Sequence, residues 1–149
     1  MTNVAPVFDY QKEIVEFVEH GLWGGRCHFN EARALGFANE TDGLVAGLVY
    51  HNYDPISNLI EMSAYSTRRD WNTLERLKLI FNYPFAVAGV RLLIARHSEK
   101  NTRCRRMWRT FGASETLIPE LHAPGEAEIV AVLQRETWKH SKLIGPNHG

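Results

Sequence analysis

Hydrophobic residues recur at two spacings along this chain, and the switches between them mark its elements. Between Asp9 and Leu22, Ile14, Val15, Phe17, Val18 and Leu22 fall at helical intervals, with Glu13, Glu16 and Glu19 on the other side. Gly21, Gly24 and Gly25 end that helix. Alternation then takes over. Arg33–Asn39 and Leu44–Asn52 read as strands, and Thr41-Asp42-Gly43 between them is turn chemistry for an antiparallel hairpin. Asp54-Pro55 makes the next turn. Asn58–Ser66 is a third strand, with Leu59, Glu61, Ser63 and Tyr65 on one face and Ile60, Met62, Ala64 and Ser66 on the other.

The helical period returns from about Thr73 to Ala88, where Leu74, Leu77, Ile80, Phe81 and Phe85 form the apolar stripe. Asn72 is the expected cap, with Glu75 completing a capping box. Pro84 should kink or shorten this helix, and Gly89 suits its C-terminal end. Arg91–His97 is an apolar strand, and Asn101–Phe111 a helix closed by Gly112. Strands at about Glu115–Leu121 and Glu128–Glu136 flank the turn His122-Ala123-Pro124-Gly125. From Trp138 onward there is no clear period. The order is helix, three strands, helix, strand, helix, two strands. The unit at 58–97 demands a parallel crossover. The pattern therefore predicts an α/β fold, a mixed sheet with helices on both faces.

Composition narrows the picture only a little. The 149 residues suit a single domain with one core, and the net charge of +0 gives no general attraction to nucleic acid or to a membrane. No apolar stretch approaches the ~20 residues of a membrane helix, and Met1–Tyr10 lacks the pattern of a signal peptide. Cys27 and Cys104 make neither a disulfide framework nor a CxxC motif and read as reduced cytosolic thiols. His20, His28, His51, His97, His122, His140 and His148 show no HxxxH or HExxH spacing, so no metal site is expected.

One segment is more specific: Asn101-x-x-Cys104-x-x-Met107-Trp108-x-x-Phe111-Gly112-Ala113. With the element order, it resembles the GNAT acyltransferase superfamily over residues 8–136, leaving a tail at 137–149. Glu61-Met62-Ser63, Arg68-Arg69-Asp70-Trp71 and Tyr83-Pro84-Phe85 are similar to a phage- and prophage-borne GNAT subgroup. The resemblance implies a GNAT-like acyl-CoA N-acyltransferase fold whose strands at 58–66 and 91–97 splay apart. The pantetheine arm of acetyl-coenzyme A would lie in the gap, held by main-chain groups of Met62, Ala64 and Ser66.

The resemblance also implies a pyrophosphate site where the helix near Thr73 begins, since a helix N-terminus favours an anion. Arg68, Arg69, Asp70, Trp71, Asn72 and Thr73 form that loop. Trp71 and Thr73 stand where the family pattern has small residues that let phosphate approach the backbone. The bland reading is a surface turn with a solvated charge pair. Glu61 lies mid-strand in an apolar run, where a carboxylate requires a wet cleft or a partner. It is the candidate general base for the attacking amine, or a structural partner of an arginine.

Trp108 stands where many relatives place a tyrosine that protonates the departing thiolate, and an indole cannot act as that acid. Ser63, Tyr65, Tyr50 and His97 are candidate stand-ins, each with an ordinary core role as the alternative. Asn101 caps its helix, with a pantetheine contact implied by the resemblance. Cys104 reads as a buried, inert thiol. Arg103, Arg105, Arg106 and Arg109 crowd one helix, as a solvated face, as a grip on the cofactor's 3′-phosphate through Arg105, or as a protein–protein or nucleic-acid contact.

Two functions follow. The first is an acetyl-CoA-dependent N-acetyltransferase, cytoplasmic, acting on an amine-bearing small molecule or protein. The second is a non-catalytic adaptor of the same fold, built into a virion or another assembly; Trp71 and Thr73 in the phosphate loop and the arginine-rich helix lean that way, and the tail Lys139–Gly149, with little of its own to pack, adds a lesser hint of a partner. A homo-oligomer suits either.

Overall fold

The turn chemistry and the two periodicities are realised in a computed structural model that describes residues 3–146. Its first half runs β1 (Ala5–Val7), α1 (Gln11–Trp23), β2 (Ala32–Asn39), β3 (Gly43–Asp54) and β4 (Leu59–Ser66). Its second half runs α2 (Leu74–Asn82), β5 (Leu92–Ser98), α3 (Thr102–Thr110), β6 (Ser114–Ala123), β7 (Glu126–Gln134) and α4 (Arg135–Lys139). The strands form one seven-stranded sheet in the order β1-β2-β3-β4-β5-β7-β6. Every neighbouring pair is antiparallel except β4 and β5, which run parallel and are joined through α2.

The strand alternation sorts side chains to two unequal cores. Ile14 and Val18 of α1 pack on Ala34 and Val49 on one face. On the other, Leu77, Ile80 and Phe81 of α2, Trp108 and Phe111 from the α3 segment and Trp138 of α4 join Phe37, Leu48, Met62, Leu93 and Leu133. Each such buried side chain contributes roughly 1.5–3 kcal/mol, so this second face supplies most of the apolar stabilisation.

The expected helix at 73–88 is corrected in two respects. Its cap is Thr73, whose hydroxyl accepts from the Arg76 amide, while Asn72 turns its side-chain amide towards the Met107 sulfur. The α-helix also stops at Asn82, and Tyr83–Val87 winds as a wider π turn. Pro84 has no N–H to give the Ile80 carbonyl. The Tyr50 hydroxyl donates to that carbonyl instead, at 2.7 Å. The helix expected at 101–111 forms with Asn101 as its cap, accepting from the Cys104 amide, and Gly112 ends it at φ 92.

The tail differs from expectation. Trp138 and Ile144 are both buried in the main core, Trp138 stacked on Phe85 at 5.1 Å. The chain up to Pro146 is thus held by its own domain, and the argument for a partner from that segment falls; residues 147–149 lie outside the described part.

Candidate functional site

β4 is fully paired on one edge and only half paired on the other. Against β3 its register runs from Glu61↔His51 to Ser66↔Ala46. Against β5 only Leu59↔Leu92, Ile60↔Leu93 and Glu61↔Ile94 are joined. β5 then continues along β7 as far as Ser98↔Glu128. From Met62 to Ser66, β4 therefore presents backbone to a gap, with Glu61 at its vertex. A cavity of about 300 Å³ occupies this wedge. Met62, Ala64, Ala95 and His97 line it on the α3 side, and Ser63 and Arg96 on the α1 side, so it passes through the sheet. Cys104 and Trp108 close it from α3, and Trp71 forms another part of its wall.

On the α1 face, Glu61, Ser63 and Tyr65 project together, as the alternation predicts. Their fates differ. The Tyr65 ring packs against Gly21 and, edge on, against Phe17 at 5.5 Å, away from the wedge. Ser63 Oγ is 2.8 Å from His51 Nε2, and Glu61 Oε2 lies 3.7 Å from that same nitrogen. Asn52 donates to Glu61 Oε1 at 3.3 Å. Among the described residues no arginine pairs with Glu61; its charged neighbour is a histidine. Phe29 covers the His51 ring at 4.6 Å and is itself backed by Trp23. Burial lowers the His51 pKa, the Glu61 carboxylate opposes that, and Arg96 adds to it. Beside this group, Arg96 donates twice to Glu128 (3.0 and 2.6 Å), whose other oxygen faces His122 at 3.3 Å.

The α3 face is drier. Trp108 is buried edge on to Phe81 at 5.5 Å. Burial pushes the Cys104 thiol up to about 11, which makes it a poor nucleophile at neutral pH. His97 is buried, and neither ring nitrogen has a hydrogen-bond partner among the described residues. Burial holds its pKa below the ordinary value.

The loop after β4 is tied down. Arg68 donates to both oxygens of Asp70 (2.9 and 2.5 Å) and also faces Asp42 at 3.7 Å. That charge pair is the bland reading of these residues. The Arg69 carbonyl accepts from Arg103 and the Trp71 carbonyl from Arg76, at 2.9 and 3.0 Å. The Trp71 ring leans on Phe37, 5.6 Å away. Thr73 provides the first-turn cap, leaving the amides of Leu74 and Glu75 without helical partners. Arg105 and Arg109 both bind Glu115, which with the Glu99 carbonyl accounts for the Arg105 guanidinium. Among the described residues no group of three or more His, Cys, Asp or Glu is arranged to hold a metal, and no helix is long and apolar enough to cross a membrane.

His51 is the site residue that sequence reasoning gave no role. Its signal is the strand register: the pairing that follows the Asp54-Pro55 turn sets it opposite Glu61.

No family model matches the sequence, and no curated protein matches it. Solved structures do match in fold. The dodecameric spermidine N-acetyltransferase from Vibrio cholerae in its intermediate state superposes with a TM-score of 0.72 at 8% identity, covering 92% of this chain and 96% of its own. The spermidine/spermine N-acetyltransferase from Vibrio cholerae in complex with manganese ions gives 0.65 at 9% identity, over 91% and 94%. A protein named Probable acetyltransferase gives 0.66 at 10% identity, again over 91% and 94%. These neighbours are acetyltransferases, and the fold they share with this chain is the GNAT fold.

Proposed function

We propose that this chain is an N-acetyltransferase that takes its acetyl group from acetyl-CoA and gives it to a primary amine. The half-open wedge between β4 and β5 carries this reading. A narrow arm rich in amides suits it: an unpaired strand edge at Met62–Ser66, apolar walls, and a buried imidazole without a partner. Met62, Ala64 and Ser66 would hold that arm through their main chain, with Asn101 and Trp108 beside it. Arg69, Asn72 and Thr73 would meet the pyrophosphate at the start of α2, and Arg105 would lie towards the 3′-phosphate. When bound, the thioester supplies an activated acetyl group.

The base belongs on the α1 face. Glu61 remains its charged member, but it acts through its neighbours. Ser63 lines the cavity, and its Oγ passes the amine proton to His51 Nε2, 2.8 Å away, which requires the resting proton of His51 on Nδ1. The Glu61 carboxylate, 3.7 Å from Nε2, stabilises the imidazolium that forms. The acceptor approaches from this side, where Glu16, Glu19, His20, His28 and Tyr65 line a hollow of about 850 Å³. The exposed carboxylate at this hollow is Glu16, and a cationic amine is the class to which the spermidine of the structural neighbours belongs. Cys27 and Cys104 are unpaired, consistent with work in the cytoplasm, and the neighbour's dodecamer makes a homo-oligomer the natural assembly to look for.

The second reading is a non-catalytic adaptor of the same fold, in a virion or other assembly. It is favoured by Arg68, whose charge Asp70 and Asp42 already answer. Titration with acetyl-CoA separates the two. A ligand at 100 times its Kd stabilises by about 2.7 kcal/mol, a rise in Tm of about 5–10 °C for a domain this size. No shift at millimolar acetyl-CoA leaves the adaptor.

A further inference from the structure

We propose that His97 is the group that meets the donor's sulfur and returns a proton to it. The inference rests on the acetyl-CoA reading above and assigns the acid that the family position at Trp108 does not supply. Four side chains were candidates, and the structure separates them. Tyr50 donates its hydroxyl to the Ile80 carbonyl in the core. Tyr65 lies against Gly21 outside the wedge. Ser63 is engaged with His51 on the other face. His97 lines the wedge, is 7% exposed, and has both ring nitrogens unpaired by any described residue.

An imidazole in that condition is costly, because a buried polar atom without a partner loses its hydration for nothing. The charged groups around it are engaged with one another. Arg105 of α3 holds Glu115 of β6, and Glu128 of β7 is held by Arg96 and His122. None of them makes a hydrogen bond to His97. A group entering the wedge beside His97 can supply that partner.

The proton balance gives His97 work distinct from that of His51. An acceptor ammonium has two protons to lose. The first leaves through Ser63 to His51 before attack and passes from His51 to solvent as the net proton the reaction releases. The second leaves the nitrogen as the new C–N bond forms, while the C–S bond breaks and the sulfur must gain one. A neutral His97 accepts the second proton and gives it to the sulfur. The products are an amide and a free thiol, and the imidazole ends neutral, as it began. Burial keeps it neutral at the outset.

The test is a binding cycle that does not depend on turnover. Affinities for CoA and for desulfo-CoA, which lacks the sulfur, are measured by calorimetry on wild type, His97→Gln and His97→Ala. Wild type should prefer CoA by about fivefold, the range of one modest hydrogen bond. Both variants should lose that preference while keeping the desulfo-CoA affinity. A preference retained in either variant overturns the role of His97 and leaves the acetyltransferase reading standing. Failure of wild type to bind either compound at millimolar concentration overturns both. Should the variants not fold, the imidazole 15N resonances of wild type decide. The His97 signals should shift with CoA and not with desulfo-CoA, and equal shifts overturn the proposal.

Discussion

His51 and His97 are buried alike, each 7% exposed, and burial depresses the pKa of both. They stand on opposite faces of the sheet, and only His51 is satisfied. It has a serine, a carboxylate and a ring over it; His97 has none of these. The α1 face is thus a finished polar network that works by relaying charge already in place. The α3 face is an apolar wall with a single polar gap. Burial alone does not tell the two apart; unmet hydrogen-bonding capacity does, and it marks the imidazole left open to an incoming group.

The largest effect expected from breaking the contrast lies on the α1 side. Ser63→Ala and Glu61→Gln should each lower turnover by about 10²-fold or more, the usual worth of a positioned base. Acetyl-CoA affinity should stay nearly unchanged in both, because neither side chain is needed to hold the donor. Release of free thiol with a panel of primary amines, spermidine among them, reads the first quantity, and calorimetry the second. Joint loss of binding and turnover in Glu61→Gln would make Glu61 a structural member of β4 instead.

A packing change on the same face should have a smaller, purely structural effect. A Cβ at Gly21 would fall within the Tyr65 ring, so Gly21→Ala must displace a side chain wedged between α1 and β4. Overpacking of that kind costs about 1–3 kcal/mol, readable from urea denaturation. CoA binding on the opposite face should survive in the fraction that stays folded. Equal stability in the variant would mean that the α1 face is looser than its contacts suggest.

How much of this was legible beforehand follows from the range of the forces involved. The strands and the cap at Asn101 were readable because alternation and helix capping are local. Pro84 was correctly a disruption, but its consequence was not visible: the freed Ile80 carbonyl is met by Tyr50, thirty residues away in sequence. The short β1 contains Pro6 and too few residues for any period, and Trp138 and Ile144 are two isolated anchors that no periodicity reveals. Glu61 stood out as a carboxylate in an apolar strand. His51 did not, since its place opposite Glu61 depends on register. The tie between Arg68 and Asp70 was open to a sequence reading because the two are neighbours. The carbonyls held by Arg103 and Arg76 were not, because such bonds leave no compositional trace.

The smallest expected effect draws the finest line between the two histidines, and it has a sign. Each folds with its pKa below the ordinary histidine value. Above about pH 6.5 both are neutral folded and unfolded, and neither makes stability depend on pH. Below it the unfolded chain takes up protons that the folded one refuses, so stability falls as pH falls, by at most about 1.4 kcal/mol per pH unit for each group. His97→Gln should flatten that acid limb between about pH 6.5 and pH 5 and change little at pH 7.5, because no hydrogen bond is lost. His51→Gln should flatten it less, since the Glu61 carboxylate already opposes the effect of burial there. It should also cost about 1 kcal/mol at every pH through the broken Ser63 contact. Guanidinium denaturation of the two variants across this range separates slope from offset. A His97→Gln protein with the wild-type slope would show that its imidazole is not sheltered from protons, and the contrast between the faces would fail.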